Sequence, residues 1–104
     1  MALKIYWTDF AKSELQKIFD YYVLRAGKRI TTRLIEGIIH ETNQLRYQPF
    51  IGQTEELLSQ RTEDFRYLVY RNYKIIYWYN TEKKQIEIVD VFDTRQNPTK
   101  MNRD

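Results

Sequence analysis

The change in hydrophobic period at residue 65 constrains the fold more strongly than any other feature of this sequence. Upstream, apolar side chains recur every three to four residues, which is typical of helices with one buried face. Downstream, large side chains alternate with a period of two, which is typical of strands. A pair of helices followed by a set of strands predicts an α+β domain, with the helices on one face of a small sheet.

The helical part divides into two helices joined by a short break. Residues 3–7 alternate as a strand, and Thr8 is a good N-cap for a first helix over residues 9–25. Gly27 can adopt the left-handed conformation that ends a helix, and a second apolar stripe follows at once and reaches Leu45. Such a short break predicts an antiparallel helical hairpin.

Three antiparallel strands are expected after an irregular connector. They span residues 65–70, 73–79 and 85–94. A tight turn joins the first two, and Asn72 in it tolerates a positive φ. The N-terminal strand is expected to join the same sheet. The expected fold is therefore a strand, a two-helix antiparallel hairpin and three antiparallel strands forming one small sheet. It occupies one domain over residues 1–104, with a loose tail at 99–104.

Both faces of the predicted sheet carry large apolar side chains. One alternation is expected to contain Leu68, Tyr70, Ile76 and Trp78, and the other Tyr67, Val69, Ile75 and Tyr77. Helices can cover only one face in a two-layer fold, so the second face suggests a partner surface. The alternative is that some of these aromatic residues are simply half-exposed.

The positive charge of the chain is concentrated in its C-terminal part. Residues 1–64 hold nine Lys or Arg and nine Asp or Glu, whereas residues 65–104 hold eight against five, which accounts for the net charge of +3. This excess suits an acidic or polyanionic partner, although the ordinary surface charge of a small domain gives the same balance.

The sequence lacks the residues that several kinds of catalytic or binding site require. There is no cysteine, no Cys/His metal spacing and no Gly-rich phosphate loop, so neither a metal site nor a cofactor is expected. No apolar run is long enough for a transmembrane helix, and no signal peptide is visible, so a cytoplasmic protein with no membrane contact is expected.

Four segments together resemble the RelE/ParE family of toxins from bacterial type II toxin–antitoxin systems. They are residues 5–15 (IYWTDFAKSEL), 49–52 (PFIG), 65–77 with FRYLVY and NYKIIY, and 89–98 (VDVFDTRQNP). The resemblance implies a toxin held inactive by a cognate acidic or amphipathic antitoxin in a hetero-oligomer. It also implies that operator DNA is contacted only through the antitoxin. The candidate antitoxin contacts are Leu68, Tyr70, Ile76 and Trp78.

The family contains two activities, and the sequence favours one of them. RelE-type toxins cleave messenger RNA on the ribosome, whereas ParE-type toxins inhibit DNA gyrase. The only histidine, His40, falls on the second helix away from the sheet, and no His or Tyr follows Pro98. RNA cleavage needs a proton carrier, so gyrase inhibition is preferred. A ribosome-dependent messenger RNA endoribonuclease and a degenerate, non-toxic family member remain alternatives.

The candidate site residues follow from the same resemblance. The residues that would hold phosphate in a ribonuclease are Arg66, Lys74 and Arg95, if the strand register brings them together. The candidate contacts to the target are Arg71, Lys74, Phe92, Arg95 and Lys100.

Overall fold

The computed structural model describes residues 2–95. In chain order the elements are β1 (Lys4–Trp7), α1 (Asp9–Ala26), α2 (Lys28–Glu41), a 3-10 helix (Thr42–Arg46), β2 (Gln53–Thr54), a 3-10 helix (Glu56–Leu58), β3 (Arg66–Tyr70), β4 (Tyr73–Asn80) and β5 (Gln85–Asp93). The predicted order of strand, helical hairpin and three antiparallel strands is confirmed. Within residues 2–95, no helix combines the length and apolarity that a bilayer crossing requires.

The helical hairpin forms where the sequence predicts it, and for the expected reasons. The Thr8 hydroxyl oxygen accepts a hydrogen bond from the Ala11 N–H at 3.1 Å, which caps α1. Gly27 ends α1 with φ 87°, and its N–H donates to the Val23 carbonyl at 3.1 Å. Gly37 is closely packed, because a Cβ there would collide with the phenol of Tyr70 on β3 and displace that side chain. The glycine therefore lets α2 approach the sheet.

The sheet is mixed, because its first strand runs parallel to its last. The strand order is β1-β5-β4-β3-β2, and Ile5 of β1 pairs in parallel register with Ile86 of β5. The helical hairpin lies between these strands in sequence and provides a crossover connection of the kind that parallel neighbours need. The sequence patterns placed β1 in this sheet but did not indicate that it runs parallel to β5. The two-residue β2 at the other edge, where Gln53 pairs with Tyr67, was not predicted.

The helical face of the sheet contains the main core. Its buried members are Ala11, Ile38, Leu45, Leu68, Tyr73, Ile75, Tyr77, Ile86, Ile88 and Val91. A bulge explains how β5 contributes to this core from both odd and even positions. Ile76 pairs with Asp90 but Tyr77 pairs with Ile88, so Val89 is an extra residue. The bulge shifts the alternation and leaves β5 nearly continuous in apolar residues.

The second face of the sheet is covered in part by the chain itself. Residues 55–65, here called the strap, place Leu58 and Phe65 against Ile76 and Phe92 in a second buried cluster. The apolar second face that the sequence indicated is therefore real. Part of its partner is the connector, which sequence patterning left irregular.

Candidate functional site

Arg95, directly after β5, is held by groups from two layers of the fold. Its Nε donates to Asp93 Oδ1 at 3.1 Å, and its Nη2 donates to Asp93 Oδ2 at 2.8 Å. The same Nη2 donates to the phenol oxygen of Tyr22 on α1 at 3.0 Å. Arg95 and Asp93 therefore form a salt bridge, and the Arg95 side chain remains 61% exposed.

Five side chains, including that of Arg95, form a closed ring of hydrogen bonds, here called the polar ring. Its members are Tyr22, Asn72, Tyr73, Asp93 and Arg95. Asn72 Nδ2 donates to Asp93 Oδ1 at 3.1 Å, and the Tyr73 phenol hydrogen-bonds to the side chains of both Tyr22 and Asn72. The ring connects α1, the β3–β4 turn and the end of β5, so it fixes the position of the guanidinium.

The polar ring also sets the charge state of its members. Hydrogen bonds from Arg95 outweigh burial and lower the pKa of Asp93 to about 2, so this carboxylate is ionised at neutral pH. The hydrogen bond with Tyr73, followed by that from Arg95, lowers the pKa of Tyr22. Burial, followed by the same bond to Tyr22, raises the pKa of Tyr73. Of the two phenols, the ring favours ionisation of Tyr22.

A pocket of about 370 Å³ opens between α1 and the ends of β4 and β5, beside the polar ring. We call it the α1–β5 pocket. Its lining comprises Glu14, Lys17, Ile18, Tyr21, Tyr22, Tyr73, Val91, Phe92, Asp93 and Arg95. It combines aromatic walls with two cations and two carboxylates. Of these residues, only Arg95 and Phe92 were predicted from the sequence as site residues.

Lys74 lies on the second face and holds the strap. Its Nζ is 3.1 Å from Glu55 Oε1 and 4.2 Å from the centre of the Tyr67 ring. The Glu55 side chain is 3% exposed, and the Glu55 N–H donates to the Phe65 carbonyl at 2.9 Å. Lys74 therefore neutralises a buried carboxylate of the strap.

The three candidate phosphate ligands do not form a cluster. Arg66 pairs across the strands with Tyr77, so it points to the helical face, whereas Lys74 pairs with Val69 and Phe92 and points to the second face. Arg66 is bound to Asp64 Oδ2 at 3.0 Å, and Arg95 is bound through Tyr22 to α1. The register separates them, so the hypothesis of a shared cationic site is wrong.

The predicted target contacts are only partly at the surface. Arg71 is exposed in the β3–β4 turn, where it takes the positive φ of 55° that had been expected at Asn72. Phe92 is 3% exposed and packs in the second cluster, so it does not offer a contact surface. Lys100 and the tail at 99–104 lie outside the described residues.

The four candidate antitoxin contacts do not share a face. Leu68 pairs with Ile75, which places it and Tyr70 on the helical face. Ile76 and Trp78 belong to the second face, and Ile76 is fully buried. The expectation that all four form one surface is wrong. The two-residue turn could have revealed this, because pairing Tyr70 with Tyr73 fixes every pair that precedes it.

Two other sequence features have plain structural positions. His40 is exposed in the last turn of α2. Among residues 2–95, no group of three His, Cys, Asp or Glu side chains is arranged to hold a metal ion. The tyrosines of the polar ring were missed in the sequence, because Tyr22 and Tyr73 lie in different elements and nothing in their local patterns links them.

The fold is shared with proteins in two solved structures of toxin–antitoxin systems. One is the chromosomal ParDE system from P. aeruginosa, with a TM-score of 0.72, 19% identity, and coverage of 88% of this chain and 96% of that one. Another is the RelBE2 complex from Mycobacterium tuberculosis, with a TM-score of 0.58, 16% identity, and coverage of 89% and 92%.

A model of one family matches nearly the whole chain. Residues 5–98 match the family described as the ParE toxin of the type II toxin–antitoxin system parDE. The chain therefore belongs to the ParE toxin family, and the resemblance inferred from its sequence is confirmed. A search of curated proteins found no match.

Proposed function

We propose that this toxin arrests growth by binding DNA gyrase through the end of the sheet that carries Arg71 and Arg95. The observation that carries the proposal is the separation of Arg66, Lys74 and Arg95 into independent ion pairs. Cleavage of RNA requires a base, an acid and cations around one phosphate. These three side chains do not provide that arrangement, whereas inhibition by binding does not need it.

The proposed contact surface lies around the β3–β4 turn. The Thr94 N–H donates to the Asn72 carbonyl at 2.8 Å, which brings the segment before Arg95 against the turn that contains Arg71. Both arginine side chains are exposed there. Two exposed guanidiniums at one end of a rigid sheet suit an acidic patch on a protein target.

A messenger RNA endoribonuclease is a second candidate, and one observation favours it. The Tyr22 phenol has a lowered pKa and lies 3.0 Å from the Arg95 guanidinium. In such an enzyme the Tyr22 oxygen would take up the 2′-hydroxyl proton while the guanidinium stabilises the phosphate. This chemistry would involve Arg95 and Tyr22 without Arg66 or Lys74.

The deciding experiment compares gyrase supercoiling with transcript ends after induction of the toxin. Under the proposal, purified toxin inhibits supercoiling, and the double variant Arg71→Glu/Arg95→Glu inhibits it at least about tenfold less, because two cationic contacts become repulsive. The matched control Lys83→Glu/Lys84→Glu, in the β4–β5 turn, keeps wild-type inhibition. New cuts within translated messages, with gyrase unaffected, would instead establish the ribonuclease.

A further inference from the structure

The turn between α1 and α2 is the most open part of the helical layer, and we call residues 21–33 the hairpin tip. Seven consecutive residues, 24–30, are exposed there. A Cβ added at Gly27 would meet no atom within 4 Å in the described part of the chain, apart from its own neighbours. The hairpin tip is therefore accessible to a partner from outside.

Two aliphatic side chains of the hairpin tip lie in water. Leu24 is 87% exposed, more than any other large apolar side chain among residues 2–95, and Ile30 is 59% exposed. They stand on opposite sides of Gly27, at the end of α1 and the start of α2. Tyr21, one turn before Leu24, is 51% exposed. Because removing such surface from water is favourable, the hairpin tip would gain free energy from an apolar partner.

The hairpin tip also concentrates cations without carboxylates to neutralise them. It contains Arg25, Lys28, Arg29 and Arg33, and no Asp or Glu. Lys28, Arg29 and Arg33 are exposed and form no ion pair with another residue between 2 and 95. The Arg25 guanidinium lies over the ring of Tyr21, 3.7 Å from its centre. These charges are available to an anionic partner.

This concentration of charge distinguishes the hairpin tip from the rest of the chain. The tip has a formal charge of +4 and the whole chain +3, so all other residues together sum to −1. Several cations elsewhere are already ion-paired: Lys12, Lys17, Arg66, Lys74 and Arg95. A partner that is both anionic and apolar would match the hairpin tip.

We propose that the hairpin tip binds the surface of a membrane that contains anionic phospholipids. Leu24 and Ile30 enter the boundary between headgroups and acyl chains, while the cations remain at the level of the phosphates. Tyr21 suits the same depth, because amphipathic phenols favour the interface. Such a contact needs no spanning segment, and the expectation of no membrane contact rested on the absence of one.

A bilayer surface matches the hairpin tip better than a nucleic acid or an acidic protein does. A nucleic acid would neutralise the cations but leave Leu24 and Ile30 in water. A protein would need an apolar recess surrounded by carboxylates to receive a projecting turn. A bilayer presents an anionic layer directly above an apolar one. This contact goes beyond gyrase inhibition and does not depend on it.

The test measures how purified toxin partitions onto vesicles, by cosedimentation. One set contains equal parts of phosphatidylglycerol and phosphatidylcholine, and the other contains phosphatidylcholine alone. At low salt the wild type should prefer the anionic vesicles by at least about tenfold, because each cation gains from the negative surface potential. Arg29→Gln/Arg33→Gln should lower this partitioning about tenfold. The control Lys83→Gln/Lys84→Gln, which loses the same charge in the β4–β5 turn, should stay within about twofold of the wild type.

A second pair of variants tests the aliphatic part of the contact. Leu24→Ser/Ile30→Ser keeps every cation and should lose the binding that the wild type retains at about 0.5 M salt, because salt screens the remaining charge contacts. The control Tyr47→Ser removes a side chain that is 74% exposed beyond the far end of α2, and it should retain this binding. All these side chains are exposed, so a urea midpoint close to that of the wild type separates lost binding from unfolding.

Three results would overturn the proposal. The first is equal partitioning of the wild type onto the two kinds of vesicle. The second is an equal loss in Arg29→Gln/Arg33→Gln and in its lysine control, because net charge would then explain the binding. The third is wild-type binding of Leu24→Ser/Ile30→Ser at high salt.

The same variants distinguish a membrane from other partners. If they weaken binding of duplex DNA, the antitoxin or gyrase and leave vesicle binding unchanged, the hairpin tip serves that partner and the proposal is wrong. A wild-type toxin that fails to inhibit gyrase would refute the proposed function and leave the vesicle results unaffected.

Discussion

Tyr22 shows how a single hydroxyl group connects two layers of this fold. Its phenol oxygen accepts from Arg95 at 3.0 Å and hydrogen-bonds with Tyr73, whose side chain is almost completely buried. The adjacent Tyr21 lies on the same helix and is half-exposed. Its hydroxyl makes no hydrogen bond to another residue in the described part of the chain. Neighbouring tyrosines therefore have different roles, which composition alone does not distinguish.

Replacing Tyr22 by Phe should lower the free energy of unfolding by about 1 kcal/mol, because Tyr73 and Arg95 each lose a hydrogen-bond partner. The measurement is the urea midpoint of the variant. Tyr21→Phe is the matched control and should leave the midpoint unchanged. Equal midpoints for the two variants would mean that the polar ring contributes nothing to stability.

At the scale of elements, the strap is the segment whose observed role differs most from what the sequence predicted. It contributes Leu58 and Phe65 to the second cluster, and its buried Glu55 depends on Lys74 for neutralisation. Lys74 was expected to contact the target. Its position on the second face means that a substitution there would disturb the strap, so loss of toxicity in such a variant would not by itself establish a contact.

Lys74→Ala is expected to destabilise the strap by about 2 kcal/mol, because the Glu55 carboxylate loses its charged hydrogen-bond partner while still buried. The expected result is faster amide hydrogen exchange in the strap and faster tryptic cleavage at Arg61. The amides of β4 and β5 should remain protected from exchange. The double variant Lys74→Met/Glu55→Leu should recover the protection, because it removes both charges. Unchanged cleavage in Lys74→Ala would show that the ion pair does not hold the segment.

At the scale of the molecule, the polar ring joins α1 and the end of β5 to the turn of the central hairpin. Asp93 ends β5 and accepts from Asn72 in the central hairpin, while Arg95 reaches α1 near the start of the sequence. Ionisation of Asp93 is therefore linked to the folding of the domain as a whole. The linkage follows from the difference between its folded pKa of about 2 and its ordinary value of 3.8.

Because the folded pKa is depressed, this carboxylate contributes stability above pH 3.8 and loses it as the pH falls toward 2. The contribution amounts to about 2 kcal/mol at neutral pH. Asp93→Asn should lower the free energy of unfolding at pH 7 and flatten its decline between pH 4 and pH 2. Unfolding curves measured across this range test the prediction. If the free energy of unfolding of Asp93→Asn depends on pH as in the wild type, the proton coupled to folding binds to a group other than Asp93.

Local sequence patterns were sufficient for the two long helices and the four longer strands of this protein, and for its family. Helical stripes, Thr8, Gly27 and the period of two downstream of residue 65 act over a few residues, so their structural consequences can be read without knowing the fold. The order of segments along residues 5–98 was likewise enough to indicate the toxin family. The resemblance depends on that order and needs no tertiary contact.

The tertiary structure alone decided which side chains meet. Parallel pairing of β1 with β5, the bulge at Val89 and the strap depend on contacts between distant residues, and a one-residue change of register reverses the face of every side chain. Such contacts separated Arg66, Lys74 and Arg95, and they brought Tyr22, Tyr73 and Arg95 together. Side-chain chemistry is a property of the sequence, but proximity depends on the packing of elements that local patterns cannot specify.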